Sequence, residues 1–543
     1  MRRKISIIII CVVLLFTVGC GKSQPSDEQV NDQKISVRIN ELAISIPDEV
    51  ESLDPLKIKN SWELQVISNI YEGMVVYNSE TRKIEPALAK EWSSTSDGLT
   101  YTFRLRDKAY FHSGKEVTAS DIKASWERAI KHSSAATWYI FKNINGYEQF
   151  YNGKTEDVAG ITVLNDDILQ VTLDTPDEMF LLKLTHPAAA IVDAEYIKSS
   201  TLGYGVAGNF EKQSRVNGTG PFSLVEWAAH QNITLEPFEE HPTKCQFTRI
   251  DFSLTPDVEM GYADLKRGYV EILRNGQKLP DLVLTKDPIA QEQITEESKS
   301  EVFYLGFNVK QKFQDQSLRQ AISYAIDRVN LTKKLGMGKV AEGLLPREII
   351  QNRSPLINYI YSLESARNLI NYNTEEPLNR EKLLLYYVDE EMNNLLVDEI
   401  VKSIDKAGIV VEAKALDSYQ ELYTGIESGS ISFYLDRRIV QAEEAGFFLT
   451  PLFHSKSPFN LSGYSNELVD DLLAFLQNQK PFSKEYVETI LQLEKIIMSD
   501  VPMITLLEKG DWVVKSNLVS DTAFHPIWGI QLLKVRMNTE VTL

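Results

Sequence analysis

Cysteine is scarce in this chain of 543 residues and occurs only at three positions. Cys11 and Cys20 lie in an apolar segment at the N-terminus, whereas Cys245 stands alone. No disulfide is therefore expected within the mature chain, and cysteine usage does not report the redox compartment. The compartment has to be inferred from the N-terminal segment instead.

Basic residues are too few to indicate a nucleic-acid partner. The chain has 57 Lys and Arg against 76 Asp and Glu, a formal net charge of -19, and no basic stripe offsets this excess. The first 19 residues carry Arg2, Arg3 and Lys4 and no acid, so their removal makes the net charge -22. Nucleic-acid binding needs a basic footprint, and the acidity argues against it. Solubility alone explains such an acidic balance.

Motifs of metal sites and of common enzymes are missing. No two histidines are three or four residues apart, so no helical metal pair is present. The seven histidines are His112, His132, His186, His230, His241, His454 and His525. The chain has no Gly-x-Ser-x-Gly and no His-Glu-x-x-His, and the glycine-rich stretch Asn217–Phe222 lacks the Gly-Lys-Ser/Thr ending of a phosphate loop. We therefore expect no enzyme activity, no bound metal and no cofactor, and any ATP hydrolysis would occur on a separate subunit.

Only one apolar run is long, and it is too short for a comfortable membrane span. It covers Ile5–Val18, follows the basic residues 2–4, and ends in Thr17-Val18-Gly19-Cys20. This ending resembles a bacterial lipoprotein cleavage site, with Thr17 where leucine is usual. The resemblance implies a signal peptide at 1–19, lipidation of Cys20 and a place on the extracytoplasmic face of a bacterial cell membrane. An ordinary signal peptide or an anchor helix are the alternatives. Residues 20–34 are polar, lack aromatics and are expected to form a flexible tether.

A helical pattern dominates the stretch 310–331. Asp315 and Ser317 offer oxygens for an N-cap, and Arg319 and Asp327–Arg328 fall on the polar side of the predicted helix. The apolar face is formed by residues at helical spacing, namely Leu318, Ile322, Ala325 and Ile326. The pattern alone predicts an amphipathic helix packed on a sheet.

A strand, a helix and a strand follow each other at Leu383–Val388, Leu395–Ala407 and Val410–Ala415. Such a unit predicts a parallel strand pair with a right-handed crossover, and hence an α/β fold. Two alternating runs, Ile161–Val163 and Ile168–Leu173, predict a hairpin. A length of 543 residues exceeds what one hydrophobic core usually serves, so at least two lobes are expected.

Nine segments, each weak singly, form an ordered set from Glu51 to about Leu473 that resembles the family 5 extracytoplasmic solute-binding proteins. The resemblance is strongest to the oligopeptide-binding lipoproteins of ABC importers. The segments are ESLDP (51–55), IYEGMVVY (70–77), IEPALAKEW (84–92), GLTYTFRLR (98–106), FHSGKEVTASDI (111–122), NGTGPF (217–222), YLGFN (304–308), FQDQSLRQAISYAIDR (313–328) and NLSGYSNELVDDLL (460–473).

The resemblance implies an α/β, two-lobed, periplasmic-binding-protein-like (type II) fold with an inserted subdomain and with hinge strands joining the lobes. It places the first lobe at 35–69, 216–300 and 502–543, the inserted subdomain at 70–215, and the second lobe at 301–501. Ligand would be enclosed in the cleft between the lobes when they close.

The resemblance also implies ligand-binding residues, although this chain departs from the family pattern at the expected site. Gln441 stands where the family has an aspartate for the α-amino group of a peptide, and Arg438 stands where it has a tryptophan. Glu443 and Glu444 lie close by as substitutes, and Arg437 and Arg438 can bind a carboxylate or phosphate in a bidentate way. A solvated loop of mixed charge is the alternative interpretation of this segment.

Four further ligand-binding candidates follow from position in the family pattern. They are Ser61, Trp138, Tyr304 and Tyr419. Trp138 and Tyr419 match aromatic residues that line the family's pocket, but both are equally explained as core aromatics. Tyr304 is expected in the cleft or hinge.

The function implied is a lipid-anchored, monomeric receptor that captures a peptide or similar small solute and delivers it to the permease subunits of an ABC transporter. Three further functions stay open at this point: a peptide- or pheromone-sensing lipoprotein, a receptor for an anionic or metal-chelate ligand, and an extracytoplasmic hydrolase.

Overall fold

The computed structural model describes residues 40–199, 204–205, 216–275, 294–310, 312–336, 338–347, 349–350, 360–372, 382–439, 441–525 and 527–538. The predicted signal peptide, Cys20 and the predicted tether lie outside the described residues. So do residues 36–39 of the strand that the sequence predicts at 36–46; the strand itself begins at Glu41.

The strands, in chain order, are β1 (Glu41–Ile46), β2 (Val75–Asn78), β3 (Lys83–Pro86), β4 (Ala89–Ser94), β5 (Thr100–Leu105), β6 (Ile161–Asn165), β7 (Ile168–Thr172), β8 (Phe222–Ala228), β9 (Asn232–Pro237), β10 (Arg249–Leu254), β11 (Ile272–Asn275), β12 (Ile294–Phe307), β13 (Lys339–Val340), β14 (Leu383–Val388), β15 (Val411–Leu416), β16 (Phe433–Ile439), β17 (Met503–Lys515), β18 (Val519–Asp521), β19 (Phe524–His525), β20 (Gly529–Ile530) and β21 (Arg536–Met537).

The α-helices are α1 (Ser61–Ile70), α2 (Ala119–His132), α3 (Ala135–Phe141), α4 (Tyr147–Tyr151), α5 (Phe180–Lys183), α6 (Ala194–Ser199), α7 (Val258–Lys266), α8 (Gln316–Ala325), α9 (Arg328–Leu335), α10 (Leu363–Tyr372), α11 (Glu391–Asp405), α12 (Tyr419–Glu427), α13 (Gly446–Phe453), α14 (Glu467–Gln477) and α15 (Lys484–Asp500). A short 3₁₀ turn covers Pro187–Ala189.

An eleven-stranded sheet runs through both lobes in the order β15-β14-β16-β12-β17-β11-β1-β10-β9-β8, with β13 paired to β17. The first lobe contains β1 and β8–β11, where β1 runs parallel to both β10 and β11. The second lobe contains β14–β16, where β14 runs parallel to β15 and β16. Parallel strands with helical connections are the α/β arrangement that the sequence predicts.

Two long antiparallel strands, β12 and β17, pass from one lobe to the other. The start of β12 pairs with β17 near Val514, a stretch of β17 that also pairs with β11. The end of β12 pairs with β17 near Met503 and with β16 on its other edge. The register shifts between Ser298 and Glu301, which marks an irregularity in the middle of the crossing pair. These are the strands that join the lobes.

A separate four-stranded sheet, β4-β5-β7-β6, forms the inserted subdomain with α2–α5. Its apolar core includes Phe103, Trp126 and Phe141, all fully buried. The Trp126 indole N–H donates to the Ala189 carbonyl at 3.0 Å, which ties α2 to the 3₁₀ turn. Thr118 and Asp121 form a capping box at the start of α2, where both reciprocal contacts are present.

The glycine-rich turn before β8 packs against the end of α1. A Cβ atom on Gly218 would collide with the Ile70 carbonyl oxygen, and one on Gly220 would collide with the Asn69 carbonyl oxygen. Glycine is required at these two positions because backbone approaches backbone there.

The predicted helix within 310–331 is present but divided. Asp315 caps α8 through the Ser317 N–H, α8 ends at Ala325, and Asp327 caps a second helix, α9. Arg319, which the spacing places on the polar side of the predicted helix, does not face solvent. Its guanidinium is buried and donates to the carbonyls of Val501, at 2.8 Å, Asp500 and Phe313. Two of these carbonyls, those of Asp500 and Val501, lie at the C-terminal end of α15, which is far from Arg319 in the sequence.

A buried ion pair attaches α1 to the crossing strands. The Arg274 Nε donates to Asp511 on β17 at 2.7 Å, and the two side chains are 1% and 0% exposed. The same guanidinium lies 4.2 Å from the Trp62 ring and contacts Gln65, both on α1. The interaction therefore links a helix of the first lobe to one of the two strands that join the lobes.

We predict that Arg274→Met lowers the free energy of unfolding by about 3–5 kcal/mol, because removal of one partner leaves the other charge buried. The matched control is Arg104→Met. Arg104 pairs with Glu91 at 3.2 Å on the surface, where both side chains are about half exposed or more, so its loss costs less than about 1 kcal/mol. Urea denaturation of residues 21–543 measures both. Equal losses in the two variants would contradict the role given to the buried pair.

Candidate ligand-binding cleft

A cavity of about 820 Å³ lies between the two lobes. Its wall has three parts: residues within 51–60 that precede α1, residues 134–136 with His186 and Ala188 of the inserted subdomain, and residues between Val388 and Leu452 of the second lobe. The volume falls in the range of clefts that enclose small organic ligands. The chemistry of the cavity follows from these three parts.

Two buried carboxylates hold the wall at 51–60 in place. Glu63 accepts the backbone N–H groups of Glu51, Ser52 and Lys59 at 3.1, 3.1 and 2.6 Å. Burial raises the pKa of the Glu63 carboxyl, and these N–H donors oppose the shift. Asp54 is fully buried and accepts both terminal nitrogens of Arg128 on α2 at 3.1 and 2.5 Å. These charge-assisted contacts give the wall a defined shape.

The inserted subdomain contributes a neutral histidine. His186 is 2% exposed, and its Nδ1 accepts the Ala188 N–H at 3.0 Å, so the proton of the neutral ring is on Nε2. Burial lowers the pKa of His186 to about 3, and a hydrogen bond with Gln441 only partly opposes this shift. The ring stacks on Phe447 of the second lobe, with centroids 4.7 Å apart. At neutral pH this part of the wall carries no charge.

Gln441 bridges two parts of the wall. Its amide nitrogen lies 3.5 Å from the Ile58 carbonyl oxygen of the first lobe, and its side chain hydrogen-bonds with His186. Gln441 itself follows the end of β16 in the second lobe. The position that the family pattern gives to an aspartate therefore holds an amide between neutral partners.

Arg437, at the end of β16, is surrounded by partners. One terminal nitrogen donates to Glu301 on β12 at 2.9 Å, and the other lies 3.6 Å from Glu390. The Arg437 Nε donates to the Tyr419 hydroxyl at 3.1 Å, and that hydroxyl donates to Glu390 at 3.2 Å. Two carboxylates thus neutralise this cation within the protein.

Arg438 lies beside a second polar cluster. Asp436, two residues earlier on the same face of β16, accepts the hydroxyls of Tyr304 at 2.7 Å and Tyr423 at 3.3 Å, and the Arg437 N–H at 2.8 Å. Burial raises the pKa of Asp436, against the opposing influence of Arg438. The Arg438 Nε is buried and has no hydrogen-bond partner among the described residues.

The structure brings four of the nine predicted ligand-binding residues to the cavity wall. These are Tyr419, Arg437, Arg438 and Gln441. Whether they bind a ligand stays a prediction, but they come together from α12, β16 and the loop after β16. Arg437, Arg438 and Gln441 are neighbours in the sequence. Tyr419, also predicted, comes from a different element and reaches them through its hydrogen bond with Arg437.

The other five predicted residues do not line the cavity. Ser61 begins α1, directly after the cavity residue Asn60. Trp138 is 8% exposed and packs in the core of the inserted subdomain, with its ring 6.2 Å from that of Phe459. Tyr304 lies behind the wall, where its hydroxyl donates to Asp436. Glu443 pairs with His525 at 3.1 Å.

Glu444 is fully buried where the second lobe meets the inserted subdomain. One of its oxygens accepts the Gly446 N–H at 2.7 Å and the Tyr486 hydroxyl at 3.1 Å. Burial raises the pKa of this carboxyl, and the nearby Lys183 ammonium opposes the shift. Packing, rather than contact with the cavity, accounts for the position of Glu444 in this structure.

Several cavity residues carried no local signal in the sequence. His186, Tyr423 and Glu390 lie in different parts of the chain and meet only through the fold. Phe447 and Phe448 follow the predicted ligand-binding segment 437–444 in the sequence and line the apolar part of the wall. This pair of aromatic residues is the one sequence feature that indicates that part. Within the described part of the chain, no group of three or more His, Cys, Asp and Glu is arranged to hold a metal ion.

A family model described as bacterial extracellular solute-binding proteins, family 5 Middle, matches residues 83–460. The chain belongs to this family. The prediction from the ordered sequence segments is confirmed, and so is the two-lobed fold with joining strands. A solved structure of the pheromone receptor PrgZ, described together with its mode of peptide binding, superposes with a TM-score of 0.74. It is 20% identical to this chain, and the match covers 92% of this chain and 99% of the receptor.

Two curated relatives extend the comparison. The dipeptide-binding protein DppE of Bacillus subtilis (strain 168) is 23% identical over 531 residues, which cover 95% of each chain. Heme-binding protein A of Haemophilus influenzae (strain ATCC 51907 / DSM 11121 / KW20 / Rd) is 30% identical over 319 residues, which cover 55% of this chain and 56% of the relative. These relatives thus carry names for different ligands. No helix of the described residues has the length and apolar character needed to cross a membrane.

Proposed function

We propose that this chain is an extracytoplasmic receptor that captures peptides in the cavity between its lobes and delivers them to the permease of an ABC transporter. The observation that carries the proposal is the cavity of about 820 Å³, which is lined by both lobes and the inserted subdomain. The names of the peptide-binding relatives support the peptide assignment. The receptor performs no chemistry on its ligand, in keeping with relatives that are binding proteins by name.

Capture follows from the arrangement of the lobes. The end of β16 and the loop after it face the wall at 51–60, and the Gln441 amide nitrogen lies 3.5 Å from the Ile58 carbonyl oxygen across this gap. A peptide placed here would be held by backbone groups and by the charged and aromatic side chains of the wall. Bending at β12 and β17 would open the cleft, and the ligand stabilises the closed state by its contacts with both lobes.

Native mass spectrometry of purified residues 21–543 tests the peptide assignment. We expect a mass excess that persists under gentle ionisation and disappears on denaturation, with fragments that read as an amino-acid sequence. Protein refolded after denaturation and dialysis is the control and should lack the excess. A retained ligand without peptide bonds would contradict the assignment.

A receptor for an anionic or metal-chelate ligand is the second candidate function. Two arginines in the wall and the similarity to heme-binding protein A favour it over a hydrolase. The same mass spectrum separates it from a peptide receptor, since a porphyrin or chelate has a distinct mass and absorbance. Uptake of labelled ligand distinguishes import from sensing. Deletion of the gene should abolish uptake if the protein serves import and leave it unchanged if the protein serves sensing.

We also propose that the chain is anchored by lipid on Cys20 and tethered by residues 20–34. We predict that Cys20→Ala shifts the protein from the membrane fraction to the medium or periplasm, because several acyl chains bind a bilayer far more strongly than the remaining chain does. Cell fractionation with immunoblotting measures the shift. Ser23→Ala, three residues away in the tether, should leave the protein in the membrane fraction. Retention of the Cys20→Ala variant in membranes would refute the lipoprotein assignment.

We also propose the domain boundaries that the family resemblance implies. They are 35–69, 216–300 and 502–543 for the first lobe, 70–215 for the inserted subdomain, and 301–501 for the second lobe. The insert boundaries are supported by an apolar core whose buried members all fall between Met74 and Ile191.

We predict that Gln441→Asp raises the affinity for a peptide with a free α-amino group by about tenfold, because a charge-assisted hydrogen bond replaces a neutral one. Calorimetry with alanylalanylalanine and its N-acetyl form measures the change, and only the free amine should gain. Gln420→Asp is the matched control, since Gln420 also lines the cavity but is exposed to solvent. Equal affinities of Gln441→Asp and the wild type would refute the role given to this position.

A further inference from the structure

A buried ion pair lies in the inserted subdomain, close to where the subdomain meets the second lobe. Lys183 on α5 lies 2.7 Å from Asp177, and both side chains are 0% exposed. The Lys183 ammonium also lies 4.1 Å from the centre of the Tyr139 ring on α3, and that ring packs against Phe447 of the second lobe. Lys142 adds a second cation to this region, where burial and the neighbouring Lys183 charge lower its pKa to about 8. The subdomain thus already gives the Lys183 ammonium a counter-ion of its own.

Glu444 places a second carboxylate against this pair from the second lobe. Its Oε1 accepts the Gly446 N–H and the Tyr486 hydroxyl, which both belong to the second lobe. The Tyr139 hydroxyl and the Lys183 ammonium approach the carboxylate from the inserted subdomain. Its Oε2 is buried and has no hydrogen-bond partner among the described residues. Two carboxylates therefore share the Lys183 ammonium, and one oxygen of Glu444 has lost water without gaining a partner.

The burial of Glu444 is only partly offset by its contacts. Desolvation raises the pKa of its carboxyl even though Lys183, the Gly446 N–H and two tyrosine hydroxyls all favour the ionised form. The ionised carboxylate is therefore less stable in this structure than in water. Under the proposed boundaries, both chain ends of the inserted subdomain continue into the first lobe. A bend of β12 and β17 thus carries Glu444 away from the subdomain and admits water to its Oε2.

We propose that the buried carboxylate of Glu444 destabilises the closed state and thereby promotes reopening of the cleft and release of the ligand. Glu444 does not line the cavity, so it acts on the equilibrium between closed and open lobes and not on the ligand directly. Neutralising it should raise the affinity for every ligand by the same factor, because the apparent affinity scales with the fraction of receptor in the binding-competent closed state. This inference rests on the proposed closure of the lobes, but not on the chemical class of the ligand.

Small-angle X-ray scattering of ligand-free residues 21–543 tests the inference without a ligand. Glu444→Gln keeps the shape of the side chain and its acceptor oxygen but carries no charge, so its radius of gyration should be smaller than that of the wild type. In calorimetry the same variant should bind alanylalanylalanine about tenfold more tightly than the wild type does. Glu488→Gln on α15 is the matched control, because it removes one negative charge from the same lobe at an exposed position. It should match the wild type in both measurements.

A pH series supplies a test on the wild-type protein. Opening exposes the Glu444 carboxyl to water, so its pKa is higher in the closed state than in the open state, and the closed state binds more protons. The closed state therefore gains stability as the pH falls from neutral toward the ordinary pKa of 4.5. The radius of gyration of the ligand-free wild type should decrease over this range, and that of Glu444→Gln should change less.

Thermal unfolding of the ligand-free proteins shows that each has folded under the conditions of the scattering experiment. The inference is overturned if Glu444→Gln is not more compact than the wild type, or if the wild type does not become more compact as the pH falls. If Glu444→Gln does not fold, the pH series of the wild type decides alone. If alanylalanylalanine binds neither the wild type nor the variants, the peptide assignment is weakened, whereas the scattering still decides the inference about Glu444.

Discussion

The antiparallel pairing of β12 with β17 is the constraint on which the two-lobed architecture depends. In the eleven-stranded sheet, the path from the first lobe to the second passes through these two strands. A bend at this pair would leave the hydrogen bonds within each lobe intact, so it is the place where a relative motion of the lobes would be accommodated. The cavity wall is coupled to the same strands, because β16 pairs with β12 along seven residues up to Ile439.

Ion pairs with buried carboxylates flank this pair of strands on both sides. Arg274 reaches Asp511 on β17 from the first lobe, and Arg437 reaches Glu301 on β12 from the second lobe. Lys509 on β17 lies 3.8 Å from the other oxygen of Glu301. Burying such charges gains little stability by itself, but a misplaced strand would leave them unpaired. The ion pairs therefore favour the observed register of the crossing strands over shifted ones.

Local patterns in the sequence predicted much of the fold. The predicted hairpin of residues 161–173 is formed by β6 and β7. The strand-helix-strand unit after Lys382 is present with parallel strands, although its helix begins four residues earlier than expected. These features depend on capping residues and on apolar spacing within about 15 residues of chain, which the sequence displays directly.

The cavity was less predictable because its contacts join distant segments. Arg319 has the spacing of a solvent-facing residue, yet carbonyls near residue 500 bind its guanidinium. Glu444 has the charge expected of an amine-binding residue, but Tyr486 and the Gly446 N–H enclose it. The partner of each side chain comes from an element whose position only the tertiary structure determines.

The neutral and charged parts of the wall together restrict how a ligand can lie. An ammonium group beside His186 and Gln441 would lose water without meeting a carboxylate, since the pKa of His186 is lowered by burial and Gln441 offers an amide. Arg438, by contrast, already lies beside the buried Asp436 carboxylate on the same strand. Arg438 lies within β16 and Gln441 shortly after it, so a charged and a neutral group are only a few residues apart along one wall. The distribution of charge along this wall is thus a constraint on any ligand that would lie in the cavity.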